Sequence, residues 1–128
     1  MAAYSRPLLL IIVLLTGWAA SVRAQAQGFS FNGVSNRIIT PNGDHRNDNV
    51  AFLCNDPFDS AGTVKIYDLR GHLVTTIPIN SGVAICSAPS NYPMWDGTAG
   101  GKVVSNGVYI YVVAVESVVA SGALVVIK

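Results

Sequence analysis

After residue 36 the chain breaks into short apolar runs separated by turn clusters every eight to twelve residues. No stretch there carries the 3.6-residue apolar period of an amphipathic helix. A chain with that rhythm buries its apolar side chains by stacking strands, so the expected fold is all-β, an antiparallel sandwich of about seven strands. The strands read as Arg37 to Thr40, Val50 to Asn55, Thr63 to Tyr67, Leu73 to Ile79, Val83 to Cys86, Val108 to Glu116 and Ala123 to Lys128. Seven short strands fall below the smallest eight-stranded membrane barrels, which rules that architecture out. Between the third and fourth runs, Asp68 to His72 reads DLRGH, a short hairpin loop in which Gly71 takes positive φ. Asn106-Gly107 is a second turn signal, delivering the chain into VYIYVVAVE.

The opening 26 residues are of a different kind. Arg6 precedes an apolar run from Leu8 to Ala20, and small residues follow at Ala24 and Ala26. The run is too short to cross a bilayer core of about 30 Å as a helix. The segment is therefore read as a secretory signal cleaved after Ala26. The expected organisation is a signal peptide over 1–26, a leader over 27–36 and one β domain over 37–128. The mature chain has no membrane span, and its expected location is the periplasm, the outer surface or the extracellular space.

From Gln27 onward six bases face seven acids, a net charge of −1. No basic patch is present to hold nucleic acid, and no acidic tail is present either. Cys54 and Cys86 lie in or beside expected strands of a chain bound for an oxidising compartment, so a disulfide is expected between them. Two buried thiols are the other reading. Two cysteines with the distant His45 and His72 lack zinc-ligand spacing.

The stretch Thr40 to Val50, TPNGDHRNDNV, concentrates polar chemistry ahead of an apolar strand. Asn42, Asp44, Asn47 and Asp48 supply the oxygen ligands that a calcium ion takes. Arg46 sits among them, and the full calcium-loop pattern with a distal glutamate is missing. In the competing reading Pro41 and Gly43 set a turn, and the Asx side chains bond nearby amides. No other cofactor is expected. Catalysis has little to stand on: Asp44 with Asp48, and Asp56 with Asp59, are loop pairs with no groove, and no serine sits in a nucleophile-elbow context. The chain is not read as an enzyme.

In the run Val108 to Glu116, Val108, Ile110, Val112 and Ala114 share one face, and Tyr109, Tyr111, Val113 and Val115 share the other. Both faces are apolar. A central strand with a partly covered outer face is one reading. The other makes Tyr109, Tyr111, Val113 and Val115 an interaction surface for a protein partner or a second copy. The following run, SVVASGALVVIK, holds no charge before Lys128, so its edge protection is thin.

Three segments, TPNGDHRNDNVAF from Thr40, VKIYDLRGHLVTTI from Val64 and WDGTAGGKVVSNGVYIYVV from Trp95, together resemble a known family. Their order and spacing are similar to those of the immunoglobulin-like domains of the flagellar hook-capping protein. They also resemble the C-terminal sorting modules of bacterial type IX secretion, including the gliding-motility-associated C-terminal domain. The resemblance spans Asn36 to Lys128. It implies an immunoglobulin-like β-sandwich with the Trp95 ring in the core and Asp96-Gly97 shaping the turn behind it. In the related modules the first motif reads PNGDG followed by ND, and His45 and Arg46 stand here in place of that second glycine and its neighbour. Sorting modules sit behind larger cargo, whereas only about ten residues precede the domain here. The first expectation is thus a secreted structural or interaction module at a bacterial surface, self-associating through its apolar C-terminal strands. A type IX-like sorting module and a calcium- or carbohydrate-binding adhesion module are the alternatives.

Overall fold

Alternation of side chains builds the strands. In Val50–Asn55 the side chains of Val50, Phe52 and Cys54 are buried, while Ala51 and Leu53 between them are only partly so, the period of two that a half-buried strand requires. The computed structural model describes residues 28–79, 86 and 91–128. Among these, ten strands follow in order: β1 (Ser30–Val34), β2 (Ile38–Ile39), β3 (Val50–Asn55), β4 (Gly62–Asp68), β5 (Leu73–Ile79), β6 (Met94–Trp95), β7 (Thr98–Ala99), β8 (Lys102–Val103), β9 (Gly107–Val115) and β10 (Val118–Val126). The fold is an all-β, immunoglobulin-like sandwich with no α-helix among the described residues.

One sheet has the order β1-β3-β6 and the other β2-β10-β9-β4-β5, with β7 and β8 forming a small separate hairpin. Neighbours pair antiparallel except β2, which lies parallel to the end of β10. The chain thus enters on the three-stranded sheet as β1 and crosses to the five-stranded sheet as β2. Phe52, Val64, Ile66, Val113, Leu124 and Val126 are among the side chains sealed between the two sheets. Their burial is the main favourable term in a domain of this size.

Aromatic rings bridge the layers. Tyr111 of β9 receives Phe31 of β1 at 5.8 Å and Phe52 of β3 at 5.4 Å between ring centroids, both edge-on. Tyr109 receives Trp95 of β6 at 5.6 Å in the same manner. Such pairs contribute about 0.5–1.5 kcal/mol each beyond their buried area. Gly122 of β10 is part of this arrangement, because a Cβ there would collide with the Tyr111 phenol.

The expected interaction surface is corrected by this packing. Tyr109, Tyr111, Val113 and Val115 are 7%, 6%, 1% and 1% exposed, so they form the inner face of β9. Alternation fixes which residues share a face but not which face meets the second sheet. The bulkier tyrosines fill the inter-sheet gap of about 10 Å, and Val108, Ile110, Val112 and Ala114 turn outward. The leader is also corrected, since Ser30–Val34 pairs with β3 as a strand. Gly33, at φ +100°, sits in a register shift that breaks the alternation of that segment.

β3 and β5 match the expected bounds, and β4 and β9 match within a residue at each end. β10 begins five residues earlier than expected, at Val118. The turn before it, Glu116-Ser117, carries Glu116 at φ +54° with no glycine or asparagine to announce it. The strand expected over Val83 to Cys86 lies, apart from Cys86, outside the described residues.

Cys54 of β3 and Cys86 are joined in a disulfide with their Cα atoms 5.0 Å apart and a separation of 32 residues in sequence. Both are buried. Closing a loop of that length stabilises the fold by about 3–4 kcal/mol in the chain-entropy account. The variant with both Cys54→Ser and Cys86→Ser should therefore melt lower by on the order of 15 °C, which a thermal denaturation of the two proteins side by side measures. A shift of only a degree or two would show that the bond does not constrain the unfolded chain.

Candidate functional site

The loop between β2 and β3 is organised around one carboxylate. Asp48 Oδ1 accepts the backbone amides of Asn42 (3.1 Å) and Gly43 (2.9 Å), and Oδ2 accepts that of His45 (2.7 Å). Asn42 Oδ1 accepts the Asp44 amide at 3.0 Å, and Asp44 Oδ1 accepts the Arg46 amide at 2.8 Å, each an Asx turn. Thr40 closes the loop by donating its amide to the Asn47 carbonyl (2.7 Å) and its hydroxyl to that of Arg46 (3.1 Å). Four oxygens that the calcium reading calls on, from Asn42, Asp44 and Asp48, are thus engaged by backbone N–H groups. Among the described residues no group of three or more His, Cys, Asp or Glu is placed to hold a metal ion.

Burial alone would raise the Asp48 carboxyl, but the amides of Gly43, His45 and Asn42, with the charge of His45, hold it below the ordinary aspartate range. The backbone turns back on itself through Gly43, His45 and Asn47 at φ +78°, +64° and +52°. The second of these explains the glycine that related modules carry at that position: the left-handed region suits glycine and strains histidine.

This loop rests on the tryptophan turn. Gly97 stands at φ +77° beneath Pro41, whose Cγ would lie 3.2 Å from any Cβ added there. Asp96 Oδ1 accepts the Thr98 amide (3.1 Å) and hydroxyl (2.6 Å). Trp95 is buried, and its Nε1 donates to the Thr98 carbonyl at 2.9 Å. The ring is therefore a core element and offers no stacking platform to a sugar. Two segments about 50 residues apart in sequence form one continuous structure at this end of the sandwich.

The β4–β5 hairpin repeats the device. Asp68 Oδ1 accepts the amides of Arg70 and His72, both at 2.9 Å, and Gly71 has φ +85°. The His72 amide leads the groups that hold Asp68 below the ordinary range, against an opposing push from burial. The same turn borders a cleft of about 410 Å³ lined by Asp68, Leu69, Arg70 and the segment Ser105 to Tyr109. Tyr109 donates its hydroxyl to the Ser105 carbonyl at 2.7 Å, and burial, then the Asp68 charge, raises its pKa. Asp56 and Asp59 share one tight turn through the Asp59 amide on the Asp56 carbonyl. The Asp56 carboxylate oxygens are shielded from solvent, out of reach of a substrate.

The outer face of the five-stranded sheet is largely apolar. Register places Val125, Val108, Ala123, Ile110, Tyr67 and Val112 side by side across β10, β9 and β4, with Lys65 the charge among them. Period-two alternation in β9 contains this face, but the sequence leaves open which of its two apolar faces is outward.

A model of the CHU_C type IX secretion signal domain family matches residues 32–125. That interval runs from within β1 to the penultimate residue of β10 and includes both polar loops. Among solved structures, the crystal structure of dimeric latent PorU from Porphyromonas gingivalis is similar at 27% identity and a TM-score of 0.40. The likeness covers 62% of this chain and 8% of that one. No curated protein matches the chain.

Two substitutions act on the β2–β3 loop in opposite directions. Asp48→Ala leaves three amides without their acceptor and should lower the melting temperature by several degrees, whereas His45→Gly relieves the left-handed strain and should leave it unchanged or raise it. Because the folded Asp48 pKa is depressed, its contribution is fully present above the unfolded value of about 3.9. It is lost as pH falls through the folded value. Melting curves of Asp48→Ala and wild type should therefore converge below about pH 4, and a gap that stays constant with pH would contradict this account of the carboxylate.

Proposed function

This chain belongs to the CHU_C type IX secretion signal domain family, and we propose on that premise that its sandwich is a sorting module recognised by type IX export machinery. A domain of this family marks a protein exported to the cell surface or the extracellular space, and its role is sorting rather than catalysis. The observation that carries the reading is the extent of the match, residues 32–125, which takes in every strand from β2 to β9 and nearly all of β10. In this reading residues 1–26 act first, taking the chain across the inner membrane, and the folded sandwich then addresses it outward. The disulfide between Cys54 and Cys86 suits a domain that folds in an oxidising compartment before it is recognised.

A second reading, a structural module that stays at the surface as an end product, is favoured by the apolar outer face around Val108, Ile110 and Val112. The two separate in one experiment. A periplasm-directed fluorescent reporter is fused ahead of residue 27 and expressed in a bacterium with a working type IX system and in a strain lacking its outer-membrane translocon. The sorting reading expects reporter at the surface or in the medium of the first strain and trapped in the periplasm of the second. Reporter held in the periplasm of both strains would leave the structural reading in its place.

A further inference from the structure

Most of one edge of β10, a long strand, is left without a partner among the described residues. β10 pairs with β9 along its whole length, from Val118 opposite Val115 to Val126 opposite Gly107. On its other side β2 meets only Val125 and Val126. There the amides of Val125 and Ile127 donate to the carbonyls of Arg37 and Ile39 at 2.8 and 2.9 Å. Backbone direction alternates along a strand, so the amides and carbonyls of Val119, Ser121 and Ala123 point to that same edge. Among the described residues no strand pairs with them. All three are exposed, Val119 at 70%.

Natural edges are blunted by charge, proline, a bulge or a covering element. The open part of β10, Val118 to Ala123, reads VVASGA and runs without a register shift against β9. It is about 20 Å long at about 3.3 Å per residue. The strand beside it on the other sheet, β1, reads SFNGV and is also uncharged.

We propose that this edge pairs with the same edge of a second copy of the chain, antiparallel about a two-fold axis near Ser121. Such an interface is isologous, and the β10 edge is self-complementary under that operation. Val119 of one copy meets Ala123 of the other, Ser121 meets Ser121, and about six backbone hydrogen bonds form between them. The small side chains of Ala120, Ser121, Gly122 and Ala123 place no bulk across the seam. The limits also agree: the edge is bounded at one end by β2 and at the other by the Glu116-Ser117 turn, so antiparallel copies stop one another at the same points. That arrangement brings exposed Glu116 of each copy within about two strand positions of exposed Arg37 of the other, opposite charges at the two ends of a neutral seam. The product is a sheet of about ten strands, five from each copy, whose apolar outer faces are continuous. The edge pairs in this way whether or not the domain carries cargo.

Sedimentation velocity on the exported, disulfide-intact chain from micromolar to millimolar concentration tests the proposal. A concentration-dependent dimer is expected, and Val119→Lys with Ala123→Lys should weaken it at least a hundredfold while leaving the melting temperature within a few degrees. Ser121→Cys supplies a reading that does not depend on the lysine variant folding: facing residues of a hydrogen-bonded antiparallel pair lie about 5.5 Å apart at Cα, within disulfide reach. Mild oxidation should therefore cross-link Ser121→Cys, but not Thr76→Cys on the outer face of β5. A chain that stays monomeric to millimolar concentration, a dimer indifferent to both lysines, or a Ser121→Cys variant that cross-links no faster than the Thr76→Cys control would each overturn it. Monomers that bind an added extended peptide at this edge would also overturn it, in favour of a foreign strand as occupant.

Discussion

The inner face of β9 holds the molecule together. This strand is hydrogen-bonded on both sides, to β10 and to β4, and its inward tyrosines reach across to the opposite sheet. Tyr111 touches rings from β1 and β3, and Tyr109 touches the ring of β6. The three strands of the smaller sheet are thereby each tied to a single strand of the larger one. The glycine at 122 follows from this, because the Tyr111 phenol occupies the space where a side chain of β10 would stand. So does the character of the outer surface, since turning the aromatics inward leaves valine, isoleucine and alanine outside.

The polar loops serve the same frame. Asp48 and Asp68 each use one carboxylate to gather backbone amides at a chain reversal, and Asp96 holds the Thr98 amide and hydroxyl in the same way. Exposed charge is otherwise sparse, so these carboxylates are spent on shape. Pro41 resting on Gly97 joins the first and third of these reversals into one end of the sandwich. In the sorting reading proposed above, turns fixed in this way would give the recognised surface a constant outline.

Much of this was legible in the sequence because it is local. Strands β3, β4, β5 and β9 follow from alternation within a few residues, the β4–β5 hairpin from Gly71 after Leu69-Arg70, and the burial of Trp95 from the resemblance carried by its WDG segment. The disulfide between Cys54 and Cys86 followed from compartment and strand context. What the sequence hid is non-local or conformational. Whether Tyr109 and Tyr111 face inward depends on which side the second sheet approaches, and nothing in β9 itself says so. The early start of β10 was masked because Glu116 takes a left-handed turn without a glycine, and β1 was masked because Gly33 interrupts its alternation at a shift in register. The calcium reading of the β2–β3 loop and the turn reading share the same residues, and only the direction of each oxygen toward an amide separates them.

The central claim is that β9 is paired on both flanks while β10 is paired on one, with its far edge open from Val118 to Ala123. Amide hydrogen exchange, followed residue by residue on a dilute sample, tests this most directly, because exchange reports which backbone N–H groups are bonded. The account predicts slow exchange along β9 from Tyr109 to Val115, where both flanks are paired, and a period of two along β10, with Val119, Ser121 and Ala123 fast and Ala120, Gly122 and Leu124 slow. Equal protection of all six β10 amides at the highest dilution would mean that the edge is covered within a single chain, and would contradict the account.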